Sequence, residues 1–283
     1  MIKINGDEVK IEHFPDGTQR LNIKNIYEAD YSDNNIEWFY EKEEELSTLI
    51  YITRHIKNLP YVGLLNLYMY YLPNARMDRI HEDSEVFTLK SFADVINWLD
   101  FDYIEILDVH SNVGKALINN ANFVTPKQYI EKAIEWAEDE IVEEDENASP
   151  ETVLYFPDAG AAKRYSDLFP ELPYCYGEKK RDWKTGKILG LDIKTNGIDL
   201  TNKLVLMIDD IIAYGGSLYY SAEELKKHGV TEIYAYATHT ENSILDKEKG
   251  TLIKSLENNT VNRLFTTNSL FNGSHEKITV MEV

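Results

Sequence analysis

The segment LVLMIDDIIAYGGSLYYSAEELKKHG, residues 204–229, decides the fold class that the sequence predicts. Five apolar residues run into two adjacent aspartates, and a Gly-Gly-Ser turn then opens a stretch with helical spacing of apolar residues. A buried apolar run followed by a glycine-containing turn and a helix is typical of a parallel α/β sheet. Because ligands of such sheets bind beyond the carboxyl ends of the strands, a binding site is expected at the aspartates.

The turn and the two aspartates have the chemistry of a sugar-phosphate site. Gly215, Gly216 and Ser217 offer backbone N–H groups and a hydroxyl to a phosphate at the start of a helix. Asp209 and Asp210 suit sugar hydroxyls or a hydrated divalent cation. A solvated turn capped by Ser217 is the commoner explanation of a Gly-Gly-Ser sequence on its own. The aspartate pair favours binding, because two like charges at a strand end are unfavourable unless a partner holds them.

Strand and helix patterns also alternate in the first half of the chain. KINGDEVKIEHF and TQRLNIKNI predict a β-hairpin with its turn at Pro15–Gly17. Apolar spacing predicts one helix over residues 37–57 and a second over residues 84–101, the latter with a serine cap at its start. The buried runs YVGLLNLYMYYL and YIEILDVH lie on either side of the second helix and predict strands of a parallel sheet.

The acidic segment EEDENASPET, residues 143–152, marks a linker between two domains, predicted as residues 1–146 and 147–283. Beyond it the alternation resumes, with strands predicted at TVLYFPDAG, YCYGEKKR and EIYAYATH. In both halves a strand runs directly into acidic or imidazole side chains, namely Asp108, His110 and Asp158. Two α/β domains with chemistry at their strand ends are therefore expected.

The charge of the chain excludes one class of function. Its 283 residues carry 49 acidic and 29 basic side chains, a formal charge of −20. Sequence-independent nucleic-acid binding depends on clustered Lys and Arg, so no nucleic-acid partner is expected. A small phosphorylated ligand needs only one local pocket and stays compatible with this charge.

Cysteine content and hydropathy predict a cytoplasmic protein. Cys175 is the only cysteine, so no internal disulfide can form. The start MIKINGDEVK lacks the basic and then apolar pattern of a signal peptide. The most apolar windows are interrupted within about a dozen residues, short of the ~20 that span a bilayer, so no membrane partner is expected.

Six motifs resemble those of one family. Residues 204–229 resemble the phosphoribosyl-diphosphate binding loop of type I phosphoribosyltransferases and their relatives. YLPNARMDR, ILDVHS, FPDAGAAKR, GEKKR and ATHTENS are similar, in this order, to five motifs of the ribose-phosphate diphosphokinases. These enzymes are also called phosphoribosyl-diphosphate (PRPP) synthetases, and the motifs extend over residues 10–282.

The resemblance implies a fold, an activity and an assembly. The fold is two tandem type I phosphoribosyltransferase-like domains with mainly parallel sheets, the first on the ATP side and the second on the ribose-phosphate side. The activity is the Mg²⁺-dependent transfer of the β,γ-diphosphate of ATP to the anomeric hydroxyl of a ribose 5-phosphate group. A homo-oligomer, a dimer or a multiple of dimers, is implied because the hairpin turn of such enzymes reaches a neighbouring subunit.

The resemblance also implies roles for single residues. Lys179 and Arg181 would stabilise the transferring diphosphoryl group, although GEKKRDWKTGK alone predicts a solvated β-turn. His110 and Asp158 would hold Mg²⁺, or His110 would contact a phosphate, since imidazole is an unusual Mg²⁺ ligand. The implied ATP-binding residues are Asp16, Gly17, Thr18, Arg76, Met77 and His110. The implied acceptor-binding residues are Asp209, Asp210, Ala213, Tyr214, Gly215, Gly216 and Ser217.

Departures from the family pattern concern both substrates. Ala213 and Tyr214 stand where the family has an acidic residue and a small hydroxyl residue. Tyr214 would crowd a terminal phosphate but could line a channel for a longer acceptor, so ADP-ribose is slightly favoured over ribose 5-phosphate, as in bacteriophage members that rebuild NAD. Met77 replaces Gln and Thr18 replaces Glu on the ATP side.

Two other classes of function stay open. A non-catalytic regulatory homologue would bind nucleotide or partner a true synthetase and release no AMP from ATP. An ordinary phosphoribosyltransferase that consumes PRPP would release diphosphate only with a base, and would need one such domain.

Overall fold

The computed structural model describes residues 1–23, 33–60, 63–181 and 188–283, and for residues 179–181, 188 and 189 only the backbone. The chain forms two compact units, Met1–Thr125 and Pro126–Val283. The predicted boundary after residue 146 stays a prediction, and the two divisions differ by one long helix. No helix in the described ranges has both the length and the apolar character needed to cross a membrane.

The first unit is a six-stranded sheet with helices and a separate hairpin. In chain order its elements are β1 (Ile2–Ile4), β2 (Asp7–Glu8), β3 (Lys10–His13), β4 (Gln19–Asn22), β5 (Asp33–Trp38), α1 (Glu45–Lys57), β6 (Leu64–Met69), α2 (Thr88–Leu99), β7 (Tyr103–Leu107), α3 (Asn112–Leu117) and β8 (Ala121–Val124). The sheet order is β2-β1-β5-β6-β7-β8, and β5 to β8 are parallel. The predicted parallel pairing of the strands around α2 and the predicted hairpin are confirmed.

The predicted helix over residues 37–57 is wrong in its first part. Residues up to Trp38 belong to β5, in which Asn34, Ile36 and Trp38 are buried alternately. The same apolar residues fit a period of two and a period of 3.6 over so short a stretch, and pairing with β6 selects the strand. The predicted serine cap is also wrong, because α2 begins at Thr88 after Phe87 and has no side-chain cap.

The second unit is a seven-stranded sheet. Its elements are α4 (Lys127–Glu144), β9 (Thr152–Phe156), α5 (Ala159–Tyr165), β10 (Tyr174–Arg181), β11 (Ile188–Lys194), β12 (Leu204–Ile212), α6 (Gly216–Lys227), β13 (Glu232–Thr240), α7 (Leu252–Glu257), β14 (Arg263–Thr267) and β15 (Ile278–Met281). The order is β11-β10-β9-β12-β13-β14-β15, and only β11 pairs antiparallel. The mainly parallel α/β architecture is confirmed in both units.

The strand β10 contains the whole GEKKR motif. It pairs with β11, which the sequence analysis did not predict, in a register that joins Lys179 to Leu191. The alternative of a solvated β-turn is therefore wrong for residues 177–181, and residues 182–187 lie outside the described part of the chain.

Candidate acceptor and nucleotide sites

A pocket of about 340 Å³ lies at the carboxyl end of β12 in the second unit. Six of the seven predicted acceptor-binding residues line it, and Asp210 does not. The lining residues are Asp209, Ile211, Ile212, Ala213, Tyr214, Gly215, Gly216, Ser217, Leu218 and Thr251. The fold thus brings the loop and one of the two aspartates together, as expected for a strand end in a parallel sheet.

The loop is held by the start of α7, which the sequence analysis did not connect with it. The carbonyl oxygen of Tyr214 accepts hydrogen bonds from Thr251 N at 2.8 Å, Thr251 Oγ1 at 2.8 Å and Leu252 N at 3.2 Å. Gly215 follows with a φ of +80°, and a Cβ at this residue would lie 2.3 Å from Leu252 Cβ. Glycine is therefore required here by both backbone conformation and packing.

A buried chain of hydroxyls attaches the first turn of α6 to the sheet. Tyr155 OH donates to Ser221 Oγ at 2.8 Å, and Ser221 Oγ donates to the carbonyl oxygen of Ser217 at 2.9 Å. Tyr155 is on β9 and fully buried. The start of α6, where a phosphate would meet backbone N–H groups, is thus held by this chain from β9 and by the hydrogen bonds from α7 to Tyr214.

Asp209 and Asp210 have different environments because neighbouring residues of a strand point to opposite faces. Asp209 lines the pocket. Asp210 is 2% exposed and forms a two-pronged ion pair with Arg164, with Nη1–Oδ2 at 3.1 Å and Nη2–Oδ1 at 3.3 Å. Desolvation and the nearby Asp210 carboxylate raise the pKa of Asp209 well above its ordinary value, while Arg164 acts in the opposite direction.

Asp158 is the N-cap of α5. Its Oδ1 accepts hydrogen bonds from Gly160 N and Ala161 N, both at 2.9 Å. A carboxylate has two oxygens and about four lone-pair positions, so these two bonds leave capacity for a cation. The side chain is exposed, so these positions are accessible.

In the first unit, the fold brings the YLPNARMDR segment close to the end of β7. Asp78 is buried and accepts a hydrogen bond from Arg79 Nε at 3.0 Å. Desolvation alone would raise the pKa of Asp78, but Arg79 and the nearby His110 lower it below its ordinary value. Arg76 is exposed and Met77 half-buried in the same segment. Because His110 acts on Asp78, this segment lies next to the strand end that contains His110.

The other predicted nucleotide-binding residues form the tip of the β3–β4 hairpin. Asp16 Oδ1 accepts hydrogen bonds from Thr18 N at 3.0 Å and Thr18 Oγ1 at 2.7 Å, and these bonds lower the pKa of Asp16. Gly17 has a φ of +84° and Phe14 is 50% exposed. The tip is therefore a well-formed turn that presents an aromatic and an anionic side chain to solvent.

Comparison with known proteins shows what the chain resembles. The model of the phosphoribosyl transferase domain matches residues 128–267. The ribose-phosphate pyrophosphokinase of Thermococcus kodakarensis is 26% identical over 240 residues, covering 82% of this chain and 77% of that protein. That of Sulfurisphaera tokodaii is 24% identical over 285 residues, covering 97% and 89%. The predicted resemblance to the ribose-phosphate diphosphokinases, or pyrophosphokinases, is confirmed.

A solved structure supports the fold. The phosphoribosylpyrophosphate synthetase of Mycobacterium smegmatis aligns with a TM-score of 0.72 at 16% identity, covering 97% of this chain and 86% of that one. The predicted arrangement of two phosphoribosyltransferase-like domains is confirmed.

The donor set at the strand ends of the second unit fits Mg²⁺. Mg²⁺ prefers oxygen ligands and is usually held by one or two carboxylates together with substrate phosphates and water. Asp158 and Asp209 offer such carboxylates, whereas no group of three or more His, Cys, Asp or Glu side chains within the described ranges could hold a metal ion by itself.

The predicted catalytic residues, Lys179 and Arg181, are described only by the backbone of β10. Their side chains lie outside the described part of the structure, so their roles stay predictions.

Proposed function

We propose that this protein is a Mg-ATP-dependent diphosphokinase that transfers the β,γ-diphosphate of ATP to the anomeric hydroxyl of a ribose 5-phosphate group. The observation that carries the proposal is the pocket in which Asp209 and the loop from Ala213 to Ser217 converge. A carboxylate beside a cradle of backbone N–H groups suits a sugar with a phosphate at its far end.

The proposed reaction depends on position and charge. The anomeric oxygen attacks the β-phosphorus in line, the bond between that phosphorus and the α-phosphate oxygen breaks, and AMP leaves as the hydroxyl gives up its proton. Asp209 orients the ribose hydroxyls, and the loop holds the acceptor phosphate. Lys179 and Arg181 stabilise the charge on the transferring group. Mg²⁺, held by Asp158, would supply neutralising charge on the ATP phosphates.

On the nucleotide side, we assign ATP binding to Arg76, Met77 and His110, together with Asp16, Gly17 and Thr18 of a neighbouring subunit. The exposed hairpin tip supports this assignment, because its side chains are available to a second copy. The active form would then be a dimer or a multiple of dimers.

As acceptor, ADP-ribose is slightly favoured over ribose 5-phosphate. The support comes from Tyr214, which is 39% exposed at the edge of the pocket, and from Lys249, whose Nζ lies 5.9 Å from the centre of the Tyr214 ring. An acceptor that continues beyond the phosphate would place a second phosphate near Lys249 and an adenine near Tyr214. The product would be ADP-ribose pyrophosphate, an intermediate for NAD rebuilding.

The decisive experiment measures AMP formation from Mg-ATP with ribose 5-phosphate and ADP-ribose offered separately, with product masses determined. Product mainly from ADP-ribose supports the favoured acceptor, and product from ribose 5-phosphate alone makes the protein a conventional PRPP synthetase. If no AMP forms with either acceptor, the protein is better explained as a regulatory homologue. Diphosphate release that depends on a base supports the phosphoribosyltransferase.

A pair of lysine variants tests the acceptor more finely. Lys249→Ala is expected to raise the KM for ADP-ribose up to about five-fold, the size of one exposed ionic contact, and to leave the KM for ribose 5-phosphate unchanged. Lys247→Ala removes the same charge two residues away and is expected to change neither. Equal effects of Lys249→Ala on both acceptors would remove the support that Lys249 gives to ADP-ribose.

A further inference from the structure

Arg164 connects the two segments that carry carboxylates of the proposed site in the second unit. It lies near the end of α5, the helix whose N-cap is Asp158. Its guanidinium engages both carboxylate oxygens of Asp210 on β12, at 3.1 and 3.3 Å. The planar fork of arginine matches a carboxylate in this way and restricts both the distance and the orientation of the two groups.

The ion pair with Arg164 affects which of the two aspartate carboxylates lines the pocket. Asp210 is 2% exposed, so its carboxylate points away from the pocket while that of Asp209 lines it. If Asp210 were released, its buried charge would lose a partner, and the strand end would rearrange to expose it. Because Asp209 is the preceding residue, any rotation there would also move the Asp209 carboxylate out of the pocket.

The same pair sets the position of α5 against β12. Asp158 begins the helix and Arg164 lies in its last turn, where its guanidinium also lies 5.2 Å from the centre of the Tyr165 ring. Asp158 and Asp209 therefore stand on two elements that the Arg164–Asp210 pair joins. One ion pair thus acts on the carboxylate assigned to the metal and on the one assigned to the ribose.

We infer that Arg164 is a positioning residue for the acceptor: it holds Asp210 so that Asp209 alone faces the ribose hydroxyls. This inference rests on the proposed function, since it names how that site is divided between two adjacent aspartates. The alternative is an ion pair that contributes to stability alone. The two differ in the kinetic parameter they affect, because only positioning changes acceptor binding in the folded enzyme.

The test compares Arg164→Met, Arg164→Lys and the double variant Arg164→Met with Asp210→Asn in the full chain. Arg164→Met is expected to raise the KM for the acceptor roughly ten-fold or more and to change the KM for ATP less than about two-fold. Arg164→Lys keeps the positive charge but not the planar guanidinium, so its KM for the acceptor should lie between those of wild type and Arg164→Met. The double variant should recover part of the acceptor affinity, because it also removes the buried charge that Arg164 binds.

Lys163→Met is the matched control, since Lys163 is an exposed cation on the same helix. The inference is overturned if Arg164→Met lowers the thermal midpoint but leaves acceptor KM and kcat as in Lys163→Met, or if both substrate KM values rise equally. If Arg164→Met does not fold, Arg164→Lys with unchanged acceptor KM overturns it. If the wild type releases no AMP, the proposed function fails. The inference is then tested by calorimetry of ribose 5-phosphate binding to wild type and Arg164→Lys. Equal affinities of the two proteins would overturn it.

Discussion

Gly215 is the residue at which conformation and packing constrain the acceptor loop together. Its φ of +80° is unfavourable for other residues, and a Cβ would lie 2.3 Å from Leu252 Cβ. Gly215→Ala is therefore expected to lower the free energy of unfolding by about 1–3 kcal/mol and to weaken acceptor binding, as measured by thermal unfolding and by KM.

Gly216→Ala is the control for this prediction. A Cβ at Gly216 would meet Thr251 Oγ1 at 3.7 Å, which is ordinary contact, so stability should stay within about 0.5 kcal/mol of wild type. Equal destabilisation by both variants would contradict the packing argument.

Cys175 is predicted to be unreactive and to make stability depend on alkaline pH. Burial raises the pKa of its thiol from 9.0 to about 12. The folded state therefore binds the thiol proton more tightly than the unfolded state, and this contribution is complete below pH 9 and lost as pH rises towards 12. At pH 8 a disulfide reagent should label Cys175 only after unfolding.

The pH dependence is checked against Cys175→Ala. Between pH 9 and pH 11, wild type should lose more unfolding free energy than the variant, by up to about 1.4 kcal/mol per pH unit. Parallel pH profiles, or rapid labelling of the folded protein, would show that the thiol is accessible.

The helix α4 belongs to the second unit in the structure, whereas the predicted domain boundary after residue 146 places it in the first domain. Ile130, Ala133 and Ala137 on this helix are fully buried. Glu140 binds Arg263 of β14 through Oε1–Nη2 at 2.9 Å and Oε2–Nε at 3.1 Å. The helix thus contributes both apolar burial and a two-pronged ion pair to the second unit.

A pair of fragments tests this role. A fragment of residues 126–283 is expected to fold, while one of residues 147–283 should be less stable by several kcal/mol, because it lacks the buried face of α4. Circular dichroism melting of both fragments is the measurement. Equal melting temperatures would instead favour the domain boundary after residue 146.

At the scale of the whole molecule, the proposed exchange of hairpins between subunits predicts complementation. Asp16→Ala in the hairpin tip and Asp209→Asn in the acceptor pocket should each abolish most activity. When the two variants are mixed and allowed to exchange subunits, a mixed dimer contains one site with an intact hairpin and an intact pocket. The mixture is therefore expected to recover up to about a quarter of wild-type AMP formation, as random pairing makes half the dimers mixed, each with one of two sites intact.

The control mixes Asp209→Asn with Lys179→Ala. Asp209 and Lys179 both belong to the second unit and would serve the same site. Each site of a mixed dimer therefore contains one of the two changes, and no combination of subunits restores a complete site. Recovery in this control, or a strictly monomeric active enzyme, would contradict the exchange of hairpins.

The α/β class, the hairpin with its turn at Gly17 and the loop around Gly215 could all be predicted from the amino-acid sequence. These features depend on local patterns: apolar runs of strand length, glycines where φ is positive, and polar residues directly after a strand. The order of the motifs along the chain also predicts the resemblance to the ribose-phosphate diphosphokinases, because it reflects the order of the strands in the fold.

Which of the two neighbouring aspartates lines the pocket depends on the tertiary structure. Asp209 and Asp210 are chemically identical, and only pairing of β12 with its neighbours and the approach of Arg164 from α5 distinguish them. The strand state of Trp38 and the hydrogen bonds from Thr251 to Tyr214 were decided in the same way. Each depends on a partner distant in sequence, and a local pattern contains no information about which distant group will pack against it.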